Sequence, residues 1–313
     1  MNLFIFICQQ TLIFLVPLLL VGLGDLFSER SGVLNIALEG IMVFGAFAGI
    51  MFIRSASAAM PSWLVLLIAI LISILAGMLL SALHAFASIH LKAEQTISST
   101  AIITFATAFC IFYARVMLGT EQVVFRNTFR IDAVPLLSKI PVLGPILFQK
   151  AYVTTYLGIL VLIVTAFILK RTRFGLRLRS CGENPQAADS VGISVYKMRY
   201  AGVLISGLGG LVFILPTTTT YTASVSGYGF LAMSVVVFGQ WKPWGIALGA
   251  LFFGLTKTIA ASYSVIPFLY NLGIPEAFFK MLPYVATLIV LAFSTKRSNA
   301  PGVIGVPYDK SKR

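Results

Sequence analysis

Glu39 carries the sharpest chemical question in this chain, because it is a carboxylate set in the apolar run Leu34-Asn35-Ile36-Ala37-Leu38-Glu39-Gly40. A charge in hydrocarbon must find a partner, face water or take up a proton, since isolation is expensive. Two roles are open for it: a group that fixes register by bonding a neighbouring helix or Asn35, or a group with a conformational role. Gln95, Thr96, Ser98, Ser99, Thr100, Thr104 and Thr107 form a polar stripe on one span; such hydroxyls either line a path or bond their own helix backbone. Gly227 and Gly229, with Pro216 and the run Thr217 to Thr220, predict a broken segment over 216 to 230. Irregular backbone survives at membrane depth only where protein or a water-filled cavity satisfies it. Asn35, Glu39, Gln95, Thr96, Ser99, Gly227 and Gly229 are therefore the pathway or gating candidates. Lys257, inside another apolar run, either faces a pathway or snorkels to an interface, and snorkelling is the favoured reading.

Catalytic equipment is absent from the pattern. His84 and His90 have no third ligand, and Cys8, Cys110 and Cys181 are scattered and odd in number, so no metal site is expected. There is no Gly-x-x-x-x-Gly-Lys-Ser/Thr phosphate loop and no credible Ser/His/Asp set, so this chain is not expected to be an enzyme or to hydrolyse ATP itself.

The elements that position these residues are membrane spans. Of 313 residues, 58% are hydrophobic and 11% charged, and the mean hydropathy is +0.96; soluble domains carry about 25% charged residues. The net charge of +13 could suggest nucleic acid, yet the basic residues gather at the ends of apolar segments, as positive-inside topology requires. Spans are expected near 3–23, 38–54, 62–83, 96–117, 151–169, 200–216, 229–241, 243–262 and 280–296 of a single transmembrane domain, 1–313. The fold class is all-α and polytopic, with about 8–10 membrane helices and broken or re-entrant segments. Lys170 to Arg199, with seven Lys/Arg and two acids, and the tail 297–313 are the cytoplasmic candidates; the Pro-containing loop 119–150 falls outside the cell. Nine crossings place the amino terminus outside, and eight, with a re-entrant second segment, place it inside.

Within the basic loop lies Gly182-Glu183-Asn184-Pro185-Gln186-Ala187-Ala188-Asp189. Asn184 can accept from the free N–H groups of a first helical turn, Pro185 suits the first helical position, and Gly192 can end the helix after about two turns. A short capped helix between two membrane spans is a place for a partner to dock, which an ordinary positively charged loop does not require.

Three blocks of sequence resemble a known family. Ser28-Glu29-Arg30-Ser31-Gly32-Val33-Leu34-Asn35-Ile36-Ala37-Leu38-Glu39-Gly40-Ile41-Met42, then Cys181 to Ala188 with Gly192-Ile193 and Ile205-Ser206-Gly207, then Gly227-Tyr228-Gly229-Phe230 through Phe238-Gly239-Gln240-Trp241-Lys242-Pro243, occur in that order. They are similar to ABC-importer permeases of the branched-chain amino acid, ribose and nucleoside superfamily, and within it to the shorter permease used with nucleoside-type binding lipoproteins. The resemblance implies an inner-membrane permease subunit that pairs with a homologous second permease, an ABC ATPase subunit carrying ATP and magnesium, and an extracytoplasmic solute-binding lipoprotein, with no cofactor on this chain. It makes the short helix a coupling helix, with Glu183, Asn184, Pro185 and Gly192 shaping it and Ala187, Ala188 and Val191 forming an apolar face for the ATPase. A purine nucleoside is the expected solute; riboflavin and simple sugars are carried by related permeases. Ser98-Ser99-Thr100 stands where many relatives have a glycine after the serine. Outside this family, an ion-coupled secondary transporter is the competing class.

Overall fold

A computed structural model describes residues 3–310 except 58, 126–128, 136, 142, 209, 211–217, 267, 268, 270, 272 and 295–298. Pro216 and Thr217, at the start of the anticipated break, and Arg297 of the tail lie outside the described residues. The helices are α1 (Leu3–Arg30), α2 (Leu38–Ser55), α3 (Ser62–Ala85), α4 (Gln95–Leu118), α5 (Val153–Arg171), α6 (Arg173–Glu183), α7 (Pro185–Ser190), α8 (Val195–Ile205), α9 (Tyr228–Phe238), α10 (Pro243–Ser262) and α11 (Glu276–Ser294). Six are long and apolar enough to cross a membrane, and α9 and α11 contain shorter apolar stretches. The chain is thus an all-α polytopic membrane protein.

Local chemistry sets the helix ends where it can. Glu94 caps α4 by accepting from the N–H groups of Thr96 at 3.0 Å and Ile97 at 2.7 Å. Those donors hold its carboxyl below the usual range, so the cap is charged at neutral pH. Gly119, with φ of 71°, closes the same helix in the left-handed region that favours glycine. Close packing needs small residues in lipid, where hydrophobicity no longer drives helices together. A Cβ on Gly40 would stand 2.7 Å from Ile103 Cα, which is how α2 and α4 come together.

Two ends of the bundle can be told apart. At one, Arg30 pairs with Glu183 at 3.5 Å, so the end of α1 meets the basic loop and the tail. At the other, Gln9 donates to Pro145 O at 2.7 Å and Arg54 to Val124 O at 3.3 Å. The amino-terminal residues therefore lie opposite the basic loop, as the odd-numbered count requires.

Three details differ from the sequence reading. The span at 229–241 is instead α9, whose 11 residues extend roughly 16 Å, about half of the hydrocarbon thickness; a non-helical segment from Thr218, extended only at Thr220–Tyr221, precedes it. The loop 119–150 is not simply irregular, because β1 (Val123–Val124) pairs antiparallel with β4 (Thr220–Tyr221), and β2 (Arg130–Ala133) with β3 (Gln149–Tyr152). The basic loop holds an additional helix, α6, capped by Thr172 Oγ1 accepting from Gly175 N–H at 3.1 Å.

Candidate functional site

Glu39 and the glycine break are one structure. Glu39 sits in the first turn of α2, and its two oxygens accept from Gly227 N–H and Gly229 N–H, each at 2.8 Å. These N–H groups belong to the start of α9, where no intrahelical acceptor exists and the helix dipole is positive. A carboxylate from one helix therefore caps another, and the charge that hydrocarbon would reject is satisfied by the backbone that the break leaves bare. Gly227 has φ of 75°, the left-handed conformation that turns the chain into α9. Gly229 is required for a different reason: a Cβ there would collide with the backbone nitrogen of Glu39. Gly229→Ala should destabilise the protein by about 1–3 kcal/mol through overpacking, with a lower melting temperature in detergent. A variant that melts like wild type would show that this close approach is not needed.

The segment between α1 and α2 is held from three sides. Asn35 Nδ2 donates to Ser206 Oγ at 2.6 Å, so Asn35 serves α8 and not Glu39. Leu34 N–H donates to Gln95 Oε1 at 2.7 Å. His84 Nε2 lies 3.1 Å from Leu34 O and Nδ1 lies 3.2 Å from Ser98 Oγ. A carbonyl only accepts, so Nε2 carries the proton and Nδ1 takes the serine hydroxyl.

The polar stripe of α4 does not form one surface. Gln95 and Ser99 face the bundle and are buried, whereas Thr96, Thr100 and Thr104 border an open groove on the outer face. Thr100 and Thr104 hydroxyls donate to the carbonyls four residues back, at 2.8 and 3.0 Å. Lys257 also departs from expectation. Rather than reaching for an interface, its Nζ lies 4.7 Å from the Tyr228 ring centroid and 5.9 Å from that of Tyr284. Cation–π attraction and the nearby Glu39 carboxylate explain that direction better than snorkelling does.

At the basic end, α7 forms as its residues dictate. Asn184 Oδ1 accepts from Ala187 N–H at 3.0 Å, Pro185 occupies the first position, and Gly192 turns the chain with φ of 82°. Ala187 and Val191 are exposed, Val191 to 74%. Ala188 is not on that face: it is 3% exposed and packs with Cys181, Val195 and Tyr308. Pro185 is buried as well, so the exposed apolar surface is narrower than the sequence suggested. Burial raises the Cys181 thiol above its ordinary value, consistent with an inert packing residue.

The tail wraps the back of this helix, which no local pattern announced. Val303 N–H donates to Gly182 O at 3.1 Å, Gly305 N–H to Gly32 O at 3.2 Å, and Arg199 Nη1 to Val306 O at 3.0 Å. Glu183 accepts from Gly302 N–H at 3.3 Å while pairing with Arg30. Arg30 in turn donates through Nη2 to Trp241 O at 2.8 Å, and the Trp241 indole N–H donates to Glu29. Arg30 thus joins the α7 loop to the turn that follows α9. Asp25, one turn before Glu29, is fully buried, and neither of its carboxylate oxygens has a hydrogen-bond partner among the described residues.

These features define a multi-pass membrane protein of the permease kind, with a capped helix outside the bundle and a broken helix inside it. Residues 7–291 match the family described as the branched-chain amino acid transport system permease component, and the chain belongs to that family. It is 43% identical to the guanosine ABC transporter permease protein NupQ of Bacillus subtilis, over 98% of this chain and 97% of that one. It is 40% identical to the nucleoside ABC transporter permease protein NupC of Lactococcus lactis, again over 98% and 97%. A further relative, NupB of Lactococcus lactis, also a nucleoside ABC transporter permease protein, is 25% identical over 87% of this chain and 76% of its own. No solved structure matches the chain.

Proposed function

We propose that this chain is the shorter permease subunit of an ATP-driven nucleoside importer in the cell membrane. Full-length identity of 43% to a guanosine permease is the observation that carries the solute class. Its partners on this reading are an ABC ATPase that holds ATP and magnesium, a homologous second permease, and an extracytoplasmic solute-binding lipoprotein. The basic loop and tail are then cytoplasmic, and the described residues of the 119–150 loop face the binding protein.

The geometry supplies a mechanical route. Closure of the ATPase would press on the exposed Ala187 and Val191 of α7. Displacement of α7 passes through Glu183 to Arg30, and from Arg30 to Trp241 at the inner end of α9. The outer end of α9 is clamped to α2 by Glu39. Pulling one end of a short helix whose other end is clamped tilts it, which would open or close the space beside the non-helical segment.

The test is uptake of labelled guanosine into vesicles that contain the complete transporter. Uptake is expected to require ATP hydrolysis and to survive collapse of the ion gradients; dependence on a gradient without ATP would instead indicate a secondary transporter. Competition by unlabelled purine nucleosides, riboflavin and monosaccharides identifies the solute, and only the nucleosides are expected to compete.

A further inference from the structure

Between α1, the segment 218–228, α10 and α11 lies a chamber of about 520 Å³, within the roughly 300–1,000 Å³ typical of small-molecule sites. One wall follows a period of two along the sequence. Thr218, Thr220, Thr222, Ser224 and Ser226 line the chamber, whereas the intervening Tyr221, Ala223 and Val225 are buried in the bundle. Strand alternation accounts for Thr220 and Tyr221, and left-handed turns at Ala223 and Ser226, with φ of 52° and 53°, carry the chain onward, so that all five hydroxyls border one space. Part of their capacity is committed: Thr218 Oγ1 donates to Thr220 O at 2.8 Å, and Ser224 Oγ accepts from Ser226 N–H at 3.1 Å. The Ser224 proton, and the Thr222 and Ser226 hydroxyls, have no hydrogen-bond partner among the described residues.

The opposite wall is aromatic and cationic. Tyr228, Tyr284 and Phe14 contribute rings, and Lys257 and Lys280 contribute ammonium groups, with no carboxylate in the lining among the described residues. An ammonium donates hydrogen bonds and accepts none. Two lysines alone would suit an anion, but an anion leaves the hydroxyl ladder and the rings without a role, and Glu39 already acts electrostatically on Lys257. A neutral, flat heterocycle bearing a sugar uses all three parts of the lining. The base edge then matters: guanine presents N7 and O6, both acceptors, whereas adenine presents N7 beside an amino donor.

We propose that this chamber, inside the chain itself, is a solute subsite for ribonucleosides, and that Lys257 favours 6-oxopurine nucleosides over adenosine by donating to the base edge. The inference rests on the nucleoside reading above. It departs from a path lined by the α4 stripe, where the exposed Thr100 and Thr104 spend their protons on their own backbone.

The experiment measures guanosine and adenosine uptake by the complete transporter in vesicles, for wild type, Lys257→Met, Lys257→Arg and the double variant Thr222→Val/Ser224→Ala. Lys257→Met should lower the guanosine-to-adenosine ratio about tenfold, equivalent to about 1.4 kcal/mol, and Lys257→Arg should largely preserve it. The double variant should raise KM for both nucleosides several-fold and leave their ratio unchanged. An unaltered ratio in Lys257→Met overturns the proposal; if that variant does not accumulate, an unaltered KM in the double variant does so. Stronger competition by guanosine monophosphate than by guanosine would also overturn it, since the chamber would then be an anion site. Wild type that carries no nucleoside sinks the nucleoside reading, whereas nucleoside-transporting wild type with unaffected variants sinks the chamber alone.

Discussion

Replacing Glu39 with alanine should abolish nucleoside uptake while the protein still inserts into the membrane. The substitution removes both carboxylate oxygens that accept from Gly227 N–H and Gly229 N–H at the start of α9, and the other first-turn side chains of α2 are apolar or absent. Hydrogen bonds to a charged group contribute about 1.5–3 kcal/mol each, and a buried donor left bare costs about as much again. A loss near 3 kcal/mol corresponds to more than a hundredfold shift between the clamped and released positions of α9. The released helix no longer has a fixed outer end, so displacement at its inner end would not become a tilt. Glu39→Gln should lie between, since its amide keeps one oxygen acceptor and replaces the other with a donor facing an N–H group. Thermal unfolding in detergent, together with ATP-dependent uptake, checks both variants; wild-type values for Glu39→Ala in the two assays would show that the clamp is dispensable.

The second large effect is expected from the tail. Ending the chain after Pro301 removes four backbone or side-chain contacts to the α7 region: the bonds from Gly302, Val303 and Gly305, and the one accepted by Val306 from Arg199. It also removes Tyr308, 5% exposed and packed on Ala188 and Cys181. Burying an aromatic side chain contributes about 1.5–3 kcal/mol, and Arg199, fully buried in the intact chain, would lose the hydrogen bond that Nη1 makes to the tail. The shortened chain should hydrolyse ATP with its partners yet import at most about a tenth as fast, a loss of at least 1.4 kcal/mol in coupling. Ala188→Leu should give the same phenotype, because the added carbons displace Tyr308 rather than obstruct the ATPase. Val191→Asp acts from the other side of the helix and should instead weaken crosslinking between α7 and the ATPase. Full coupling in the truncated chain would separate the tail from the transport cycle.

Not all of this site needed a structure to be seen. Asn184, Pro185 and Gly192 define the ends of α7 from sequence because a cap bonds residues only three apart, whereas the face of the helix on which Ala188 lies was not legible. Membrane class and the apolar spans were equally legible, since the cost of exposing polar groups to lipid is written into composition over about 20 residues. Glu39 stands out from its apolar run, and the break near Gly227 from its glycines, each without reference to the other. What no local pattern could supply is that the first satisfies the second across 188 residues of chain. The alternate hydroxyls from Thr218 to Ser226 are written in the sequence, but only the fold shows that they border one space.

Sequence by itself determined the solvent this protein lives in, the number and spacing of its apolar segments within a narrow range, and the capped helix presented outside them, because each depends on neighbours along the chain. Tertiary structure alone decided which face of α4 is open, that Lys257 turns toward Tyr228, that Ala188 faces the tail, and that Glu39 caps α9. Those outcomes depend on which backbones approach one another closely enough to exchange a hydrogen bond or exclude a side chain. That choice is made by packing between elements far apart in sequence.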